Sequence, residues 1–161
     1  VIGGGDWSDY RLIPDIIKSY KSTKEIELRY PQATRPWQHV LEPISGYLLL
    51  AEKLFNHKEF EGAFNFASVE ENCKPVLYLA NKINSLLENQ LVIKANSAGN
   101  EHEANFLKLD SSKAKNNLDW TPKWALDTTL EKTVDWYLSY YKNPDTIKQF
   151  TINQINEYFE I

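Results

Sequence analysis

The sequence predicts an α/β protein made mostly of helices with short strands. Apolar residues recur every three or four positions in several segments, which is typical of amphipathic helices. Segments that alternate apolar and polar residues are only a few residues long, which indicates short strands. The composition, 42% hydrophobic, 13% aromatic and 25% charged, is that of a globular protein. Because roughly five or six helices accompany strands too short for a large sheet, we expect an incomplete or minor domain of an α/β protein.

The first five residues predict the end of a buried strand. Val1 and Ile2 form an apolar pair that runs directly into Gly3, Gly4 and Gly5, and glycines after an apolar run mark a turn. A natural domain seldom begins at such a point, and the sequence contains no methionine. We therefore expect the chain to be a piece of a longer one.

One helix and two short strands are predicted next. In "RLIPDIIKSYKS", Pro14 suits a first helical turn, and four apolar residues have helical spacing. These are Ile13, Ile16, Ile17 and Tyr20. "EIELRY" alternates apolar and polar residues as a strand does, and "WQHV" is a second short extended segment.

The strongest helix pattern is "EPISGYLLLAEKLF". Glu42 is a candidate N-cap, and Pro43 would then be the first helical residue. A continuous apolar stripe of this kind is typical of a helix that packs on a core. The stripe consists of Ile44, Tyr47, Leu48, Ala51, Leu54 and Phe55.

The second half continues with strands, helices and one long loop. "AFNFAS" predicts a strand and "KPVLYLANKINSLLE" a helix. Residues 94–105 are polar and predict an exposed loop. "LKLD" predicts a brief extended stretch, "SSKAKNNL" a short helix opened by a serine cap, and "WTPKW" a connector. Thr128 and Glu131 form a capping-box pattern for another helix, and a last helix follows Pro144.

Charge and cysteine content restrict the function classes. The chain carries 18 Lys and Arg against 22 Asp and Glu, a formal net charge of -4. It lacks the basic surface typical of nucleic-acid-binding proteins. Cys73 is the single cysteine, so no internal disulfide can form. No apolar run approaches the ~18 residues that span a membrane, and no signal peptide is recognisable. We expect a soluble, cytoplasmic protein with neither a nucleic-acid nor a membrane partner.

The residues alone form no complete catalytic set and no metal site. Gly3 to Gly5 match neither a dinucleotide fingerprint nor a P-loop, so a plain turn is favoured over a phosphate cradle. Asp6 and Asp9 could act as paired carboxylates, but loop aspartates more often serve turns. His102 has no second histidine at zinc-binding spacing, which favours a solvated loop residue. We predict no catalytic residue and no metal ligand in this chain.

Arg35 in "RPWQHV" is the best candidate for ligand binding. A guanidinium can hold a phosphate or carboxylate through two parallel hydrogen bonds, and an adjacent aromatic residue such as Trp37 can exclude water. A diphosphate ligand would suit this pair. The alternative is an arginine bonded to a local carboxylate, with Trp37 simply filling the core, and the residues alone do not separate the two.

Three stretches resemble one enzyme family. They are "VIGGGDWSDYRLIPDII", "RPWQHVLEPISGYLLLAEKL" and "HEANFLKLDSSKAKNNLDWTPKW" with "TLEKTVDWY" behind it. The sequence resembles the C-terminal, substrate-binding portion of the CDP-glucose 4,6-dehydratases, which are nucleotide-sugar dehydratases of the extended short-chain dehydrogenase/reductase superfamily with a Rossmann-type fold. The resemblance covers residues 1–142 and leaves residues 143–161 as a C-terminal helical tail.

The resemblance implies a lyase whose complete form uses NAD transiently. In this family NAD+ takes a hydride from C4 of CDP-glucose, water leaves across C5 and C6, and the hydride returns to C6, which yields CDP-4-keto-6-deoxyglucose. The resemblance also implies a role in lipopolysaccharide O-antigen biosynthesis. The family's NAD-binding glycine turn and Tyr-x-x-x-Lys pair belong to an N-terminal Rossmann half that this sequence lacks. We therefore expect this chain alone to bind no NAD and to be inactive.

The resemblance assigns the nucleotide-binding residues. Arg35 matches the arginine that binds the diphosphate of the ligand, and His39 helps to shape the strand that follows Arg35. A second arginine is usual near residues 100–105 in related deoxythymidine-type dehydratases, where this chain has His102 as the candidate substitute. The other matches are Leu12, Ile13 and Pro14 along the nucleotide, and Leu28 and Arg29 beside the base.

Two alternatives stay open at this stage. One is another nucleotide-sugar epimerase or dehydratase of the same superfamily. The other is a non-enzymatic interaction module with an aromatic surface. In the enzymatic case the expected partners are CDP-glucose or a related nucleotide sugar, the N-terminal Rossmann half and a second copy in a homodimer.

Overall fold

The computed structural model describes residues 1–95 and 107–161. The helices are α1 (Leu12–Lys21), α2 (Leu41–Asn56), α3 (Val76–Leu86), α4 (Ser112–Leu118), α5 (Leu126–Lys142) and α6 (Ile147–Phe159), with single 3-10 turns at Lys58–Phe60, Glu70–Asn72 and Pro144–Thr146. The strands are β1 (Glu25–Leu28), β2 (Thr34–Pro36), β3 (Cys73–Pro75) and β4 (Val92–Ala95). The expectation of helices with short strands is confirmed.

The strands form two separate pairs. β1 and β4 are parallel, with Ile26 opposite Ile93, whereas β2 and β3 are antiparallel, with Arg35 opposite Lys74. A further parallel bridge joins Ile2 to His39. Arg35 therefore lies on a short two-stranded ribbon whose position is fixed by main-chain hydrogen bonds.

Three strand predictions need correction. In "WQHV" only His39 takes part in a bridge, and the strand lies earlier, at Thr34–Pro36, because β3 pairs there. "AFNFAS" and "LKLD" are not strands, since neither belongs to a sheet among the described residues, although the Leu107 backbone N–H donates to the Thr34 carbonyl of β2 at 3.3 Å. At Phe66 the main-chain carbonyl instead accepts a hydrogen bond from the Gln38 side-chain amide at 2.9 Å.

The main core lies between α1, α3, α5 and the β1/β4 pair. Apolar side chains from these elements form one buried cluster, which includes Ile16, Ile17, Leu79, Ile83, Leu130, Val134 and Tyr137. A smaller cluster of Phe66, Ala114, Leu118 and Trp120 lies under α2 and α4. The helical spacing of α1 and α3 predicted these buried faces correctly, and Pro14 lies in the first turn of α1.

The structure changes the predicted N-terminus of α2. The helix begins at Leu41, after Val40 as N-cap, so Glu42 is inside the first turn and is not a cap. The Glu42 side chain is completely buried. Its carboxylate accepts hydrogen bonds from the backbone N–H groups of Lys123 (3.0 Å) and Trp124 (2.8 Å) and from the Tyr158 hydroxyl (2.6 Å). This single carboxylate joins α2 to the connector before α5 and to α6.

Most of the apolar stripe of α2 faces away from the described core, although the Tyr47 ring packs edge-on against Phe66. We call Ile44, Tyr47, Leu48, Ala51 and Phe55 the outer face of α2. Leu48 is 59% exposed and Phe55 is 88% exposed. The helix packs on the protein through its other side, where Leu49 and Leu50 contact the smaller cluster and Gly46 lies directly against the Phe66 ring.

The last three predicted helices are present, and the first two of them are capped differently from the prediction. Ser111 is the N-cap residue of α4, but the side chain that accepts from the helix N-terminus is Asp110, at 2.7 Å from the Ser112 nitrogen. Because α5 starts at Leu126, the capping-box pair Thr128 and Glu131 lies inside the helix and does not cap it. The tail α6 packs along α5, where the Trp136 indole donates to the Thr151 hydroxyl at 2.8 Å.

Candidate functional site

A groove lies between the start of α1, the end of β1 and the β2 ribbon. It consists of two adjoining hollows of about 190 Å³ and about 280 Å³. Leu12 and Trp37 line both hollows and form the wall between them. The groove is therefore large enough for a nucleotide fragment and combines apolar walls with charged side chains.

Arg35 lines the smaller hollow from the β2 ribbon. Its side chain is half-buried, and its guanidinium donates to the Thr34 carbonyl at 2.9 Å. Trp37 is fixed beside it, because its indole N–H donates to the Lys74 carbonyl at 2.8 Å. The ring of Trp37 also packs against the main core. Trp37 therefore both packs on the core and lines the groove.

The other predicted site residues divide between the hollows. Leu28 and Arg29 line the smaller one, where Leu28 is buried and Arg29 is exposed. Ile13 and Pro14 line the larger one. The predicted residues from α1 and β1 are therefore brought together with Arg35 around one groove.

The structure places His39 outside both hollows. Only 3% of the residue is exposed, and burial lowers its pKa to about 4, so the imidazole is neutral near pH 7. Its Nδ1 accepts a hydrogen bond from the Leu41 backbone N–H at 3.3 Å, and its ring packs edge-on against Trp124. His39 is therefore better placed to support the main chain next to the β2 ribbon than to contact a ligand. His102 lies outside the described residues.

Several groove residues were not singled out from the sequence, among them two tyrosines and an aspartate. Tyr10 and Tyr30 line the smaller hollow, and so does Asp15 from α1. Burial raises the pKa of the Asp15 carboxyl, while the nearby Lys18 and Arg29 counteract that effect. The helical spacing could have placed Asp15 on the first turn of α1, but no sequence signal identifies Tyr10 as part of a groove.

The acidic residues of the N-terminal loop are engaged in local bonds. Asp6 accepts from the Ser8 backbone N–H at 3.0 Å, which lowers the pKa of its carboxyl, and from Arg11 at 3.2 Å. Asp9 pairs with Lys18 at 2.5 Å. These contacts match the turn role that the sequence favoured for both aspartates.

The glycine turn does not fit the phosphates of NAD. The Trp136 ring packs directly on Gly4, at the place where any side chain would lie, and its far edge reaches Gly5. On the side where a β-carbon would lie, Gly4 and Gly5 therefore allow close packing of an aromatic ring and leave no room for a phosphate. Within the described parts of the chain, no group of three or more metal-ligating side chains is found. No helix there has both the length and the apolar character needed to cross a membrane.

Comparison with known proteins gives one curated relative at high coverage of this chain. A CDP-glucose 4,6-dehydratase of Salmonella typhimurium is 39% identical over 148 residues, which is 91% of this chain and 41% of that protein. The chain thus spans less than half the length of the relative it matches. No known family profile matches the chain.

Solved structures share the fold at low sequence identity. A UDP-glucuronic acid 4-epimerase of Bacillus cereus, solved with UDP-glucuronic acid and NAD, has a TM-score of 0.73 at 17% identity over 88% of this chain and 44% of its own. A dTDP-glucose 4,6-dehydratase of Bacillus anthracis, solved with NAD, has a TM-score of 0.67 at 21% identity over 93% of this chain and 45% of its own. The resemblance is therefore confirmed: this chain is similar to the C-terminal part of CDP-glucose 4,6-dehydratase and has the fold of that part of the extended short-chain dehydrogenases/reductases.

Proposed function

We propose that this chain is the nucleotide-sugar-binding part of a CDP-glucose 4,6-dehydratase, a lyase that converts CDP-glucose to CDP-4-keto-6-deoxyglucose. The observation that carries the proposal is the position of Arg35. It lies half-buried in the wall of a groove and next to a fixed indole, where a diphosphate would meet a charged donor away from bulk water. A fully buried Arg35 without a groove beside it would have opposed this function.

Each predicted site residue has a role in the proposal. Arg35 holds the diphosphate, and Leu28 with Arg29 borders the base. His39 acts indirectly, by supporting the main chain next to the β2 ribbon, and His102 is the second diphosphate contact. The residues lying along the nucleotide are Leu12, Ile13 and Pro14.

The hydride chemistry belongs to a part of the enzyme that this chain does not match. NAD supplies the transient oxidation of C4, and the glycine turn of this chain does not fit its phosphates. No acid, base or hydride step is therefore assigned to the described residues. The role of this chain is to bind the substrate and to orient its sugar toward the redox site.

The outer face of α2 is the proposed contact with the N-terminal Rossmann half. The match covers 41% of the relative, so 59% of the relative's length lies outside it. The outer face is an exposed apolar surface that nothing in the described chain covers. In this proposal residues 1–142 form the substrate-binding region, and residues 143–161 form a tail that packs on it. The complete enzyme acts in the cytoplasm as a homodimer.

Arg35→Ala is the direct test of the proposal. Loss of one charge-assisted contact costs about 1.5 to 3 kcal/mol, so we expect the Kd for CDP-glucose to rise at least tenfold. Isothermal titration calorimetry measures this change, and Lys115→Ala, which removes an exposed cation on α4, is the matched control. Equal affinities of the wild-type chain and Arg35→Ala would overturn the assignment.

The exposed apolar face of α2 also suits an interaction module, which is the second candidate function. A module of that kind would bind its partner without any nucleotide. Titration with CDP-glucose, UDP-glucose and dTDP-glucose separates the candidates. Preference for the cytidine form supports the dehydratase, preference for another base supports a sibling enzyme, and no binding of any of the three favours the module.

A further inference from the structure

We propose that Tyr10 is the stacking platform for the base of the bound nucleotide, and that it makes the groove select nucleotides over diphosphates without a base. This inference deepens the proposed function and rests on it. Tyr10 lies on the rim of the smaller hollow, which it shares with Arg35. An anion-binding guanidinium and an aromatic ring in one groove match a ligand with an anionic middle and a planar end.

The backbone of Tyr10 is held in an unusual conformation. Its φ of 63° lies in the left-handed region, which bulky residues rarely adopt because the β-carbon crowds the backbone. Nevertheless, 81% of the residue is exposed, so burial of the ring does not offset this cost. Strain of this kind tends to occur where a side chain must be presented to a ligand.

Arg29 contacts both the main chain and the ring of Tyr10. Its guanidinium donates to the Tyr10 carbonyl at 3.3 Å, and its central carbon lies 5.7 Å from the centre of the tyrosine ring. The cation therefore approaches one face of the ring, and the high exposure of the residue leaves surface for a second planar group. A base bound there would complete a stack with the ring and the guanidinium.

The walls of the hollow suit a base. Leu12, Leu28 and Val76 line the same hollow as Tyr10 and Arg35 and supply its apolar surface. The volume of about 190 Å³ accommodates a single planar ring with part of its ribose. A base-free diphosphate could use Arg35 but would leave the Tyr10 surface uncovered.

The test compares two ligands and two variants. Tyr10→Phe keeps the ring, whereas Tyr10→Asn removes it and keeps a residue that tolerates a positive φ. We expect Tyr10→Asn to raise the Kd for CDP roughly tenfold or more and to leave the Kd for inorganic pyrophosphate unchanged, while Tyr10→Phe stays within about twofold of wild type for both. Titration of the 15N-labelled chain by NMR measures these weak affinities. The same samples should show nuclear Overhauser contacts between the tyrosine ring and the cytosine ring protons.

Each outcome separates this inference from the function on which it rests. Unchanged CDP affinity in Tyr10→Asn, or an equal loss for CDP and pyrophosphate, would overturn the stacking role and leave the Arg35 assignment standing. Absence of binding of both ligands to the wild-type chain would overturn the proposed function itself. Preserved backbone signals in both variants exclude unfolding as the cause of any loss.

Discussion

The groove and the outer face of α2 both expose large apolar side chains, but their surroundings differ. In the groove, one hollow is lined both by the apolar side chains of Leu12 and Trp37 and by Arg29, Arg35 and Asp15, whose charges can orient a small ligand. The outer face of α2 carries apolar residues at helical spacing over three turns. Mixed polarity in a concave surface is typical of ligand sites, whereas a continuous apolar face on a helix is typical of protein contacts. The same chain therefore presents two kinds of exposed surface.

Different kinds of interaction hold the two surfaces in place. The groove depends on main-chain pairing of β2 with β3 and on the Trp37 hydrogen bond. The orientation of α2 depends on a buried carboxylate, Glu42, which holds the helix from its inner side. Exposure of the outer face is thus a consequence of how the inner side is bonded, and not of a loosely attached helix.

Of the variants that distinguish the two surfaces, Glu42→Ala should have the largest effect on the stability of the protein. The substitution leaves the backbone N–H groups of Lys123 and Trp124 without their acceptor and removes one of the two hydroxyl contacts of Tyr158, which keeps its contact with Ser45. We expect this to lower the free energy of unfolding by about 4 kcal/mol. Urea unfolding followed by circular dichroism measures the change. Glu52→Ala on the exposed side of the same helix is the control and should stay within about 0.5 kcal/mol of wild type.

A milder variant keeps this prediction testable if Glu42→Ala does not fold. Glu42→Gln retains one acceptor oxygen, so we expect a loss between those of the two alanine variants. If Glu42→Gln and Glu52→Ala were equally stable, the carboxylate would not be what fixes α2, and the exposure of the outer face would need another cause.

The next largest expected effect is a pH dependence of stability that comes from His39. Its folded-state pKa of about 4 lies below the ordinary value of 6.5, so the unfolded chain binds a proton that the folded chain excludes. The contribution of the neutral His39 side chain to the free energy of unfolding is fully present above pH 6.5. It is lost as pH falls toward 4, and about 2 kcal/mol of it is lost by pH 5. Urea unfolding between pH 7 and pH 5 measures the slope, and His39→Gln should flatten it. An identical slope in the variant would mean that the loss comes from other groups.

The sequence predicted helices better than strands, for a physical reason. Helical spacing is a local property, and it located α1 and α3 correctly. Strand pairing depends on a distant partner, so "AFNFAS" had a strand's composition but no neighbour to pair with. The same limit applies to Glu42, whose three donors come from residues about 80 to 116 positions away.

The groove was predictable only in part. The chemistry of a guanidinium beside an indole singled out Arg35 and Trp37, and the family resemblance added the residues of α1 and β1. Tyr10 could not be found in this way, because its importance lies in a positive φ and in its position relative to Arg29. Neither property leaves a pattern in the sequence.

The smallest effect on stability is expected at the outer face of α2. Leu48→Ser and Phe55→Ser remove apolar side chains that are 59% and 88% exposed, so each should change the free energy of unfolding by less than about 1 kcal/mol. The double variant should nevertheless reduce any self-association of the isolated chain, which sedimentation velocity measures, because it breaks the apolar surface. Arg35→Ala is the matched control: it alters the groove and should leave association unchanged. If Arg35→Ala reduced association and the α2 variant did not, the groove would be the protein contact, and the distinction between the two surfaces would be wrong.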